Sequence, residues 1–208
     1  MEKTEDSDAQ FIDAEIDVKT YATLNEAPVD THELNTKDLE YINSSKTWKD
    51  LGVPTDFNEK LISLGFKAPS RIQAIVIRTA SKSSNVLAQS QNGSGKTLAF
   101  MIPAIMSIDP KEPTKDKEGV PQPQVIILAD TTALIQQLSK NCQRLVEGLY
   151  DYKIAKLWSK FTDELGEFPH IIVSTIHQIK TLVTKRQINL GSLKYLVLDE
   201  CDQVMGND

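Results

Sequence analysis

The chain of 208 residues has only two cysteines, Cys142 and Cys201, and few aromatic residues, at 6%. Two cysteines cannot form the disulfide framework of a small secreted domain, and no Cys/His cluster has the spacing of a zinc site. The amino terminus lacks a basic segment followed by an apolar stretch, so we expect no secretory signal. The apolar runs are short, such as residues 125–129, so we expect no contact with a membrane. These absences favour a reducing compartment, the cytoplasm or the nucleus.

The net charge of −6 is distributed unevenly along the chain. Residues 1–45 hold 12 acidic and 3 basic residues, a net charge of −9, whereas residues 46–208 hold 17 acidic and 20 basic residues, a net charge of +3. This division predicts an acidic, largely disordered extension over 1–45, with one or two helical turns at 31–45, and a folded domain over 46–208. A net charge of +3 does not by itself indicate binding to a polyanion, although it permits a local basic face.

From residue 46 onward, short apolar runs alternate with stretches of helical periodicity. Strands are predicted at Asn85–Ser90, Gln124–Ala129, Lys153–Leu157, His170–Ser174 and Tyr195–Asp199. Helices are predicted at about 56–65, 70–81, 95–107, 131–148 and 176–185. This alternation is typical of an α/β domain, in which helices cover both faces of a parallel sheet. The segment 109–123 has four prolines and mixed charges, and we expect it to be an exposed loop.

The strongest motif is the segment Asn92–Thr97, which stands between a predicted strand and a predicted helix. Its glycines would let backbone N–H groups converge on an anion, and the helix that follows would add its dipole. In such a loop Lys96 reaches the β- and γ-phosphates of a nucleotide, and the Thr97 hydroxyl binds Mg²⁺. The full phosphate-loop pattern has glycine where this chain has Ser90.

A second motif is the cluster of acidic residues that follows the predicted strand Tyr195–Leu198. Two carboxylates at the end of a buried strand are costly unless a positive charge lies nearby. With Mg²⁺ and ATP as that partner, Asp199 would hold the metal through its water shell and Glu200 would deprotonate the attacking water. A solvated turn explains the cluster about as well when it is considered alone.

A third motif, Gly65–Gln73, precedes the phosphate loop and has two interpretations. In the structural one, Ser70 caps a helix and Phe66 fills the core. In the functional one, Phe66 stacks on adenine and the Gln73 amide reads it as donor and acceptor. The spacing leaves both open.

These three motifs together resemble the DEAD-box RNA helicases. Gly65–Gln73 resembles the family's Q motif, Ser90–Thr97 its motif I, and Asp199–Asp202 its motif II, here D-E-C-D. The resemblance implies a RecA-like P-loop NTPase domain that uses ATP and Mg²⁺ and takes RNA, not DNA, as partner. The longer string Ala88–Thr97 looks most like the branch that exports messenger RNA, which implies nuclear-pore partners and a cytoplasmic or nuclear location.

The resemblance also assigns roles to individual residues. Lys96, Thr97, Asp199 and Glu200 are the expected catalytic residues, and Thr97 and Asp199 the expected metal ligands. Trp48 lies 17 residues before Gly65, where the family has an isolated aromatic residue. The expected ATP-binding set is Trp48, Phe66, Gln73, Ser90, Asn92, Gly93, Ser94, Gly95, Lys96 and Thr97.

Three segments that bind the RNA backbone in the family depart from its pattern here. The family's P-T-R-E-L-A is replaced by Asp130–Ile135, in which only Thr131 and Leu134 are retained, and its T-P-G-R by Thr175–Gln178, in which only Thr175 is retained. The Gly-Gly motif is absent around Trp158–Phe161. These departures predict weak RNA binding, with Thr131 and Thr175 as the remaining candidate contacts.

The sequence reaches Asp208 without the family's motif III and second RecA-like domain, which favours a fragment or a shortened product. In the family, the strand of motif III lies between the phosphate-loop strand and the acidic strand. We therefore expect Val86–Ala88 and Leu196–Leu198 to lack a neighbour, and residues 1–208 alone to be unstable, prone to aggregation and inactive. Two rival functions remain open: a nucleotide-binding module that is catalytically incomplete, and an unrelated P-loop enzyme such as a nucleotide kinase.

Overall fold

A computed structural model describes residues 17–19, 47–81, 85–89, 93–157 and 168–201. Within these ranges the strands are β1 (Asp17–Lys19), β2 (Leu87–Gln89), β3 (Val125–Leu128), β4 (Ile154–Leu157), β5 (Ile171–Ser174) and β6 (Tyr195–Leu198). The α-helices of the same ranges are α1 (Thr55–Ser63), α2 (Arg71–Ala80), α3 (Lys96–Met106), α4 (Thr132–Val146) and α5 (Ile176–Thr184), and a 3₁₀ turn spans Lys49–Leu51. Every predicted helix and strand is confirmed, with ends that shift by at most two residues.

Four of the strands form a parallel sheet in the order β4–β5–β3–β6. Val125 of β3 aligns with Ile171 of β5 on one side and with Tyr195 of β6 on the other. Because all four strands run in the same direction, the loops after β3, β5 and β6 emerge at the same edge. The acidic motif and the candidate RNA contacts predicted from the sequence lie in these loops.

The side chains of β3 point alternately to the two faces of the sheet, and a separate hydrophobic cluster lies on each face. Val125 and Ile127 pack into the larger cluster, which α1, α3 and α4 cover, and Ile126 and Leu128 pack into a smaller cluster against α5. All four side chains are buried. The expected α/β architecture, with helices on both faces of the sheet, is therefore confirmed.

The strand β2, which precedes the phosphate loop, is not part of the four-stranded sheet among the described residues. Ala88 packs on a separate small cluster formed by Ile72, Val76 and Ala99. At the sheet edge, β6 has β3 as its one strand partner within the same described ranges. The strand at Leu87–Gln89, which was expected to lack a neighbour, is paired with β1 instead.

In the amino-terminal extension the structure describes one strand, because Asp17–Lys19 forms β1, which pairs with β2 in antiparallel orientation. The signal is the alternation of apolar Ile12, Ala14, Ile16 and Val18 with polar residues, which is the period of a strand. The helical turns expected at 31–45 lie outside the described residues.

Within the described ranges, no helix is both long and apolar enough to cross a membrane.

Candidate nucleotide-binding site

The phosphate loop enters α3 through two glycines in left-handed conformation. Gly93 has φ 82° and Gly95, the N-cap of α3, has φ 93°. A Cβ atom at Gly95 would also collide with the side-chain amide of Gln73. Lys96 and Thr97 are the first two residues of α3, whose first turn contains no acidic residue. The helix therefore directs the N–H groups of its first turn and its positive dipole end toward the phosphate loop.

The start of α2 is hydrogen-bonded to this loop. The Gln73 amide nitrogen donates to the Gly95 carbonyl at 3.1 Å, and the Ser70 hydroxyl donates to the Ser94 carbonyl at 2.9 Å. The Gln73 amide oxygen accepts from the Ser70 backbone N–H at 2.7 Å, which is the helix-capping contact. The capping interpretation is therefore present in the structure. One N–H and one lone pair of the Gln73 amide are left after these bonds, and these are the groups that reading adenine would require.

Trp48 fixes the loop that carries Phe66. The Trp48 side chain is 0% exposed, and its indole N–H donates to the Phe66 carbonyl at 2.8 Å. The Phe66 N–H donates to the Leu61 carbonyl at 2.9 Å, so both backbone groups of Phe66 are held. The Phe66 ring remains 37% exposed. The structure thus places Trp48 beneath the loop as a support, and Phe66 at the surface, where a base can stack.

The acidic motif lies at the carboxyl end of β6. The Asp199 backbone N–H donates to the Leu128 carbonyl at 2.9 Å, which anchors the end of β6 to β3. Glu200 then adopts φ 52°, a left-handed conformation that is uncommon for a residue other than glycine. Such a conformation at the end of a strand turns the chain sharply and is found most often at functional sites. Asp199 is partly buried, whereas Glu200 is exposed.

The electrostatics of Asp199 favour a cation at this position. Burial raises the pKa of the Asp199 carboxyl, and the negative charge of Glu200 raises it further. A hydrogen bond from the Glu200 backbone N–H and the positive charge of Lys96 lower the pKa, but less strongly. Lys96 is therefore close enough to act on Asp199 through space. A carboxylate with these surroundings fits an incoming divalent ion, because the ion would offset both the burial and the like charge.

The two candidate RNA contacts are helix caps at the same edge. The Thr131 hydroxyl accepts from the Leu134 N–H at 3.3 Å, and the Thr175 hydroxyl accepts from the Gln178 N–H at 3.2 Å. Thr131 follows β3 and Thr175 follows β5, which are neighbours in the sheet. Neither α4 nor α5 has an acidic residue in its first turn, yet exposed Asp130 stands directly before the cap of α4.

Some sequence predictions fall outside the described residues. Ser90, Asn92 and the segment Trp158–Phe161 are among them. The sequence reasoning missed that the Ser70 hydroxyl contacts the phosphate loop and that Trp48 is fully buried. The first depends on the packing of α2 against α3, which no local pattern shows. The second is signalled weakly by the turn Trp48–Leu51, in which the two apolar residues stand three positions apart, on either side of Lys49 and Asp50.

Comparison with known proteins decides the family. Residues 70–208 match the model of the DEAD/DEAH box helicase family, which is more than half of the chain. The chain belongs to the DEAD/DEAH box helicase family. The match includes the phosphate loop, the acidic motif and the start of α2.

Individual relatives agree with this membership. The ATP-dependent RNA helicase DeaD of Haemophilus influenzae is 30% identical over 76% of this chain and 25% of its own length. The ATP-dependent RNA helicase dbp-5 of Neurospora crassa is 30% identical over 78% of this chain and 33% of its own length. The chain thus spans a quarter to a third of these relatives.

A structural comparison supports the RecA-like fold of this helicase domain. The S. cerevisiae Dbp5 structure, bound to RNA and ADP BeF3, superposes with a TM-score of 0.64 at 24% identity, covering 76% of this chain and 39% of that one.

Proposed function

We propose that this helicase domain binds ATP with Mg²⁺ and hydrolyses ATP as part of an RNA helicase. The observation that carries the proposal is the convergence of Lys96 at the start of α3 with Asp199 at the end of β6, where the positive charge of Lys96 acts on the Asp199 carboxyl. A phosphate loop and an acidic strand end that face one another form the arrangement required for phosphoryl transfer.

Each side chain has a distinct role in this proposal. Phe66 stacks on adenine, and Gln73 reads the base with its remaining amide groups while it holds Gly95. Lys96 binds the β- and γ-phosphates together with the backbone N–H groups at Gly93–Lys96. Thr97 and Asp199 hold Mg²⁺, which neutralises charge on the phosphates when bound.

Glu200 accepts the proton of the attacking water in this scheme. Its exposure leaves the carboxylate accessible to solvent, and its left-handed backbone orients it differently from Asp199. The two adjacent carboxylates can therefore have different roles, metal binding for Asp199 and proton transfer for Glu200, because Asp199 is partly buried near Lys96 and Glu200 is not.

Among RNA helicases, we propose the branch that exports messenger RNA. The string Ala88–Thr97 supports this assignment, as do the relatives named dbp-5. Export and nuclear-pore proteins would then be partners, and the protein would work in the cytoplasm or at the nuclear pore. The RNA contacts of this domain are weak in this proposal, because Asp130 places a negative charge before the helix that should receive a phosphate.

A second candidate function is a nucleotide-binding module that binds ATP without hydrolysing it. The same Asp130, together with the loss of the family's residues around Thr131 and Thr175, favours it over an active helicase domain. This second function predicts that the domain binds ATP and that RNA does not stimulate hydrolysis of the bound ATP.

The test is the substitution Glu200→Gln. It should leave the affinity for a fluorescent ATP analogue within about twofold, because the amide keeps the shape of the carboxylate. It should lower ATP hydrolysis by on the order of 10²–10⁴-fold, because the base is removed. Glu59→Gln, an exposed position on α1, is the control for loss of one negative charge and should be silent.

Three outcomes separate the candidates. Hydrolysis by the unaltered chain that Glu200→Gln abolishes supports the enzyme. ATP binding with no hydrolysis, with or without RNA, supports the binding module. Equal affinity for ATP and GTP would contradict the proposed roles of Phe66 and Gln73 in recognising adenine.

A further inference from the structure

Gln124, the residue directly before β3, has a polar side chain that is 0% exposed. Its amide makes two hydrogen bonds to one residue, Asp109, which stands three positions after the last residue of α3. The Asp109 backbone N–H donates to Gln124 Oε1 at 2.7 Å, and Gln124 Nε2 donates to the Asp109 carbonyl at 2.8 Å. The side chain therefore pairs with the backbone of Asp109 as a residue of a neighbouring strand would.

The backbone of Gln124 binds the chain on both sides of β3. Its carbonyl accepts from the N–H groups of Lys194 at 2.8 Å and Tyr195 at 3.1 Å, at the start of β6. Its own N–H donates to the His170 carbonyl at 3.0 Å, directly before β5. Gln124 thus joins the end of α3 to the start of β6, at the edge of the sheet opposite to Asp199.

The two elements that Gln124 joins carry the two halves of the proposed nucleotide site at their other ends. The helix α3 begins at Lys96, and β6 ends directly before Asp199. Buried apolar residues such as Ile102 and Ile105 hold α3 on the core, but apolar packing has no preferred direction. Hydrogen bonds, by contrast, require a short distance and a narrow range of angles. The pair at Asp109 therefore fixes where the end of the helix lies.

The length of α3 converts a small change at its end into a larger displacement at its start. The helix has 11 residues, which at about 1.5 Å each make a length of about 16 Å. A tilt of about 5° would then move one end by about 1.4 Å relative to the other. A misplacement of about 1 Å in an active site can lower a rate by about 10²-fold. A contact that holds the far end of α3 can therefore affect the site without touching the nucleotide.

We propose that Gln124 is a positioning residue that fixes α3 relative to β6 and thereby sets the distance between Lys96 and Asp199. Its effect on nucleotide binding rests on the proposed function, whereas its effect on the position of α3 does not. An apolar side chain in place of the amide would remove one partner each from the N–H and the carbonyl of Asp109. The backbone bonds of Gln124 to the neighbouring strands would remain, so the sheet should stay folded.

The first test measures the position of α3 in the 208-residue chain without nucleotide. One spin label at Ser94→Cys, just before α3, and another at the native Cys201, just after β6, report the distance between the two elements. Cys142 is buried and stays unlabelled. Gln124→Met keeps the approximate volume of the side chain and removes its two hydrogen bonds. We expect the distance distribution to shift or widen by about 1–2 Å, the displacement that a small tilt of α3 produces.

A control variant separates positioning from a general loss of stability. Leu182→Ala empties part of the smaller cluster, on the face of the sheet opposite to α3. It should lower the melting temperature through the cavity that it leaves, and it should not change the distance distribution. An unchanged distribution in Gln124→Met, or an equal change in Leu182→Ala, would overturn the proposal.

Gln124→Glu tests whether the two hydrogen bonds can be restored. At a pH of about 8 its carboxylate can accept from the Asp109 N–H but repels the Asp109 carbonyl, whereas the protonated carboxyl can replace both bonds. Burial raises the pKa of a carboxyl group, so protonation is expected by a pH of about 5. The distance distribution of Gln124→Glu should therefore return to that of the unaltered chain on acidification, and that of Gln124→Met should not. A Gln124→Glu chain that does not respond to pH would contradict the proposed pairing.

The second test measures the consequence for the nucleotide. Gln124→Met should weaken the binding of a fluorescent ATP analogue with Mg²⁺ by about threefold to tenfold, and should lower kcat by about tenfold or more if the unaltered chain hydrolyses ATP. If the unaltered chain binds no nucleotide, the proposed function fails, and the distance measurement still decides the role of Gln124. A displaced helix with unchanged nucleotide affinity and kcat would overturn the proposal, because Gln124 would then hold α3 without positioning the site.

Discussion

At the scale of single residues, the site separates two neighbouring carboxylates by their surroundings. Asp199 is partly buried near Lys96, and Glu200 follows in an exposed, left-handed conformation. Both residues could be picked out from sequence as carboxylates at the end of a predicted strand, although a solvated turn explained them equally well. Their different environments could not, since burial of Asp199 arises from the packing of β6 beside β3. Likewise, the family resemblance placed Phe66 and Trp48 in the same ATP-binding set, yet Phe66 is 37% exposed and Trp48 lies in the core.

The raised pKa of Asp199 predicts a cost in stability. Since the folded state binds the proton more tightly than the unfolded state, ionisation of Asp199 disfavours folding. The favourable contribution of the protonated form is complete below the unfolded pKa and is lost as the pH rises through the folded pKa. Asp199→Asn, which cannot ionise, should therefore raise the melting temperature at pH 7 by about 1–4 °C without Mg²⁺ or nucleotide.

The pH dependence provides the check on this prediction. The difference in melting temperature should shrink as the pH falls through about 4 and vanish below about 3, where the unaltered carboxyl is protonated in both states. Asp151→Asn, at an exposed position, removes the same charge and should give no such pH-dependent gain. An Asp199→Asn chain that melts below the unaltered protein at pH 7 would show that the carboxylate stabilises the fold.

At the scale of helices and strands, local patterns predicted most of the fold. The strands β3 and β5 are short runs of β-branched and apolar residues buried on both faces, and this composition predicts them well. The strand β1 was missed because its three residues lie among acids, and only the surrounding alternation of apolar residues points to it. The link from Gln73 to Gly95 was also missed, because it joins two helices that are 22 residues apart along the chain.

The helices α4 and α5 carry the prediction on RNA. Asp130, Thr132 and Ala133 are all exposed around the start of α4, so their replacement should leave the core intact. Asp130→Pro, Thr132→Arg and Ala133→Glu together restore the family's residues and remove the negative charge that faces an incoming phosphate. We expect RNA affinity to rise by on the order of fivefold to tenfold at a fixed salt concentration of about 0.1 M.

Fluorescence anisotropy with a single-stranded RNA would measure this change. The triple substitution raises the net charge by one, so Gln143→Arg, near the other end of α4, is a matched control for charge alone. An equal gain from both variants would mean that overall charge, and not the cap of α4, determines affinity. Tight RNA binding by the unaltered chain would show that the departures at Asp130–Ile135 do not impair the interface.

At the scale of the whole molecule, the phosphate-loop strand β2 does not pair with the four-stranded sheet within the described residues. The core between β3, β5 and the helices α3 and α4 is continuous, whereas Ala88 of β2 packs in its own small cluster. The site residues Lys96 and Asp199 therefore belong to elements that no shared strand holds together among the described residues. In the proposed site, bound nucleotide would contact both elements and so link them.

The exposed edge of β6 predicts that the 208-residue chain aggregates on heating. Leu196 is 52% exposed on a strand whose one described partner is β3, and an apolar strand edge favours association between molecules. Leu196→Lys should slow aggregation several-fold, as a charged edge residue does, with little change in the unfolding temperature.

Ile62→Lys, on α1 at 48% exposure, also introduces a lysine, but away from any sheet edge, and should not slow aggregation. Light scattering recorded during a thermal ramp, alongside circular dichroism, separates aggregation from unfolding. If both lysines act equally, net charge and not the strand edge controls association, and the open edge of β6 is not the cause of aggregation.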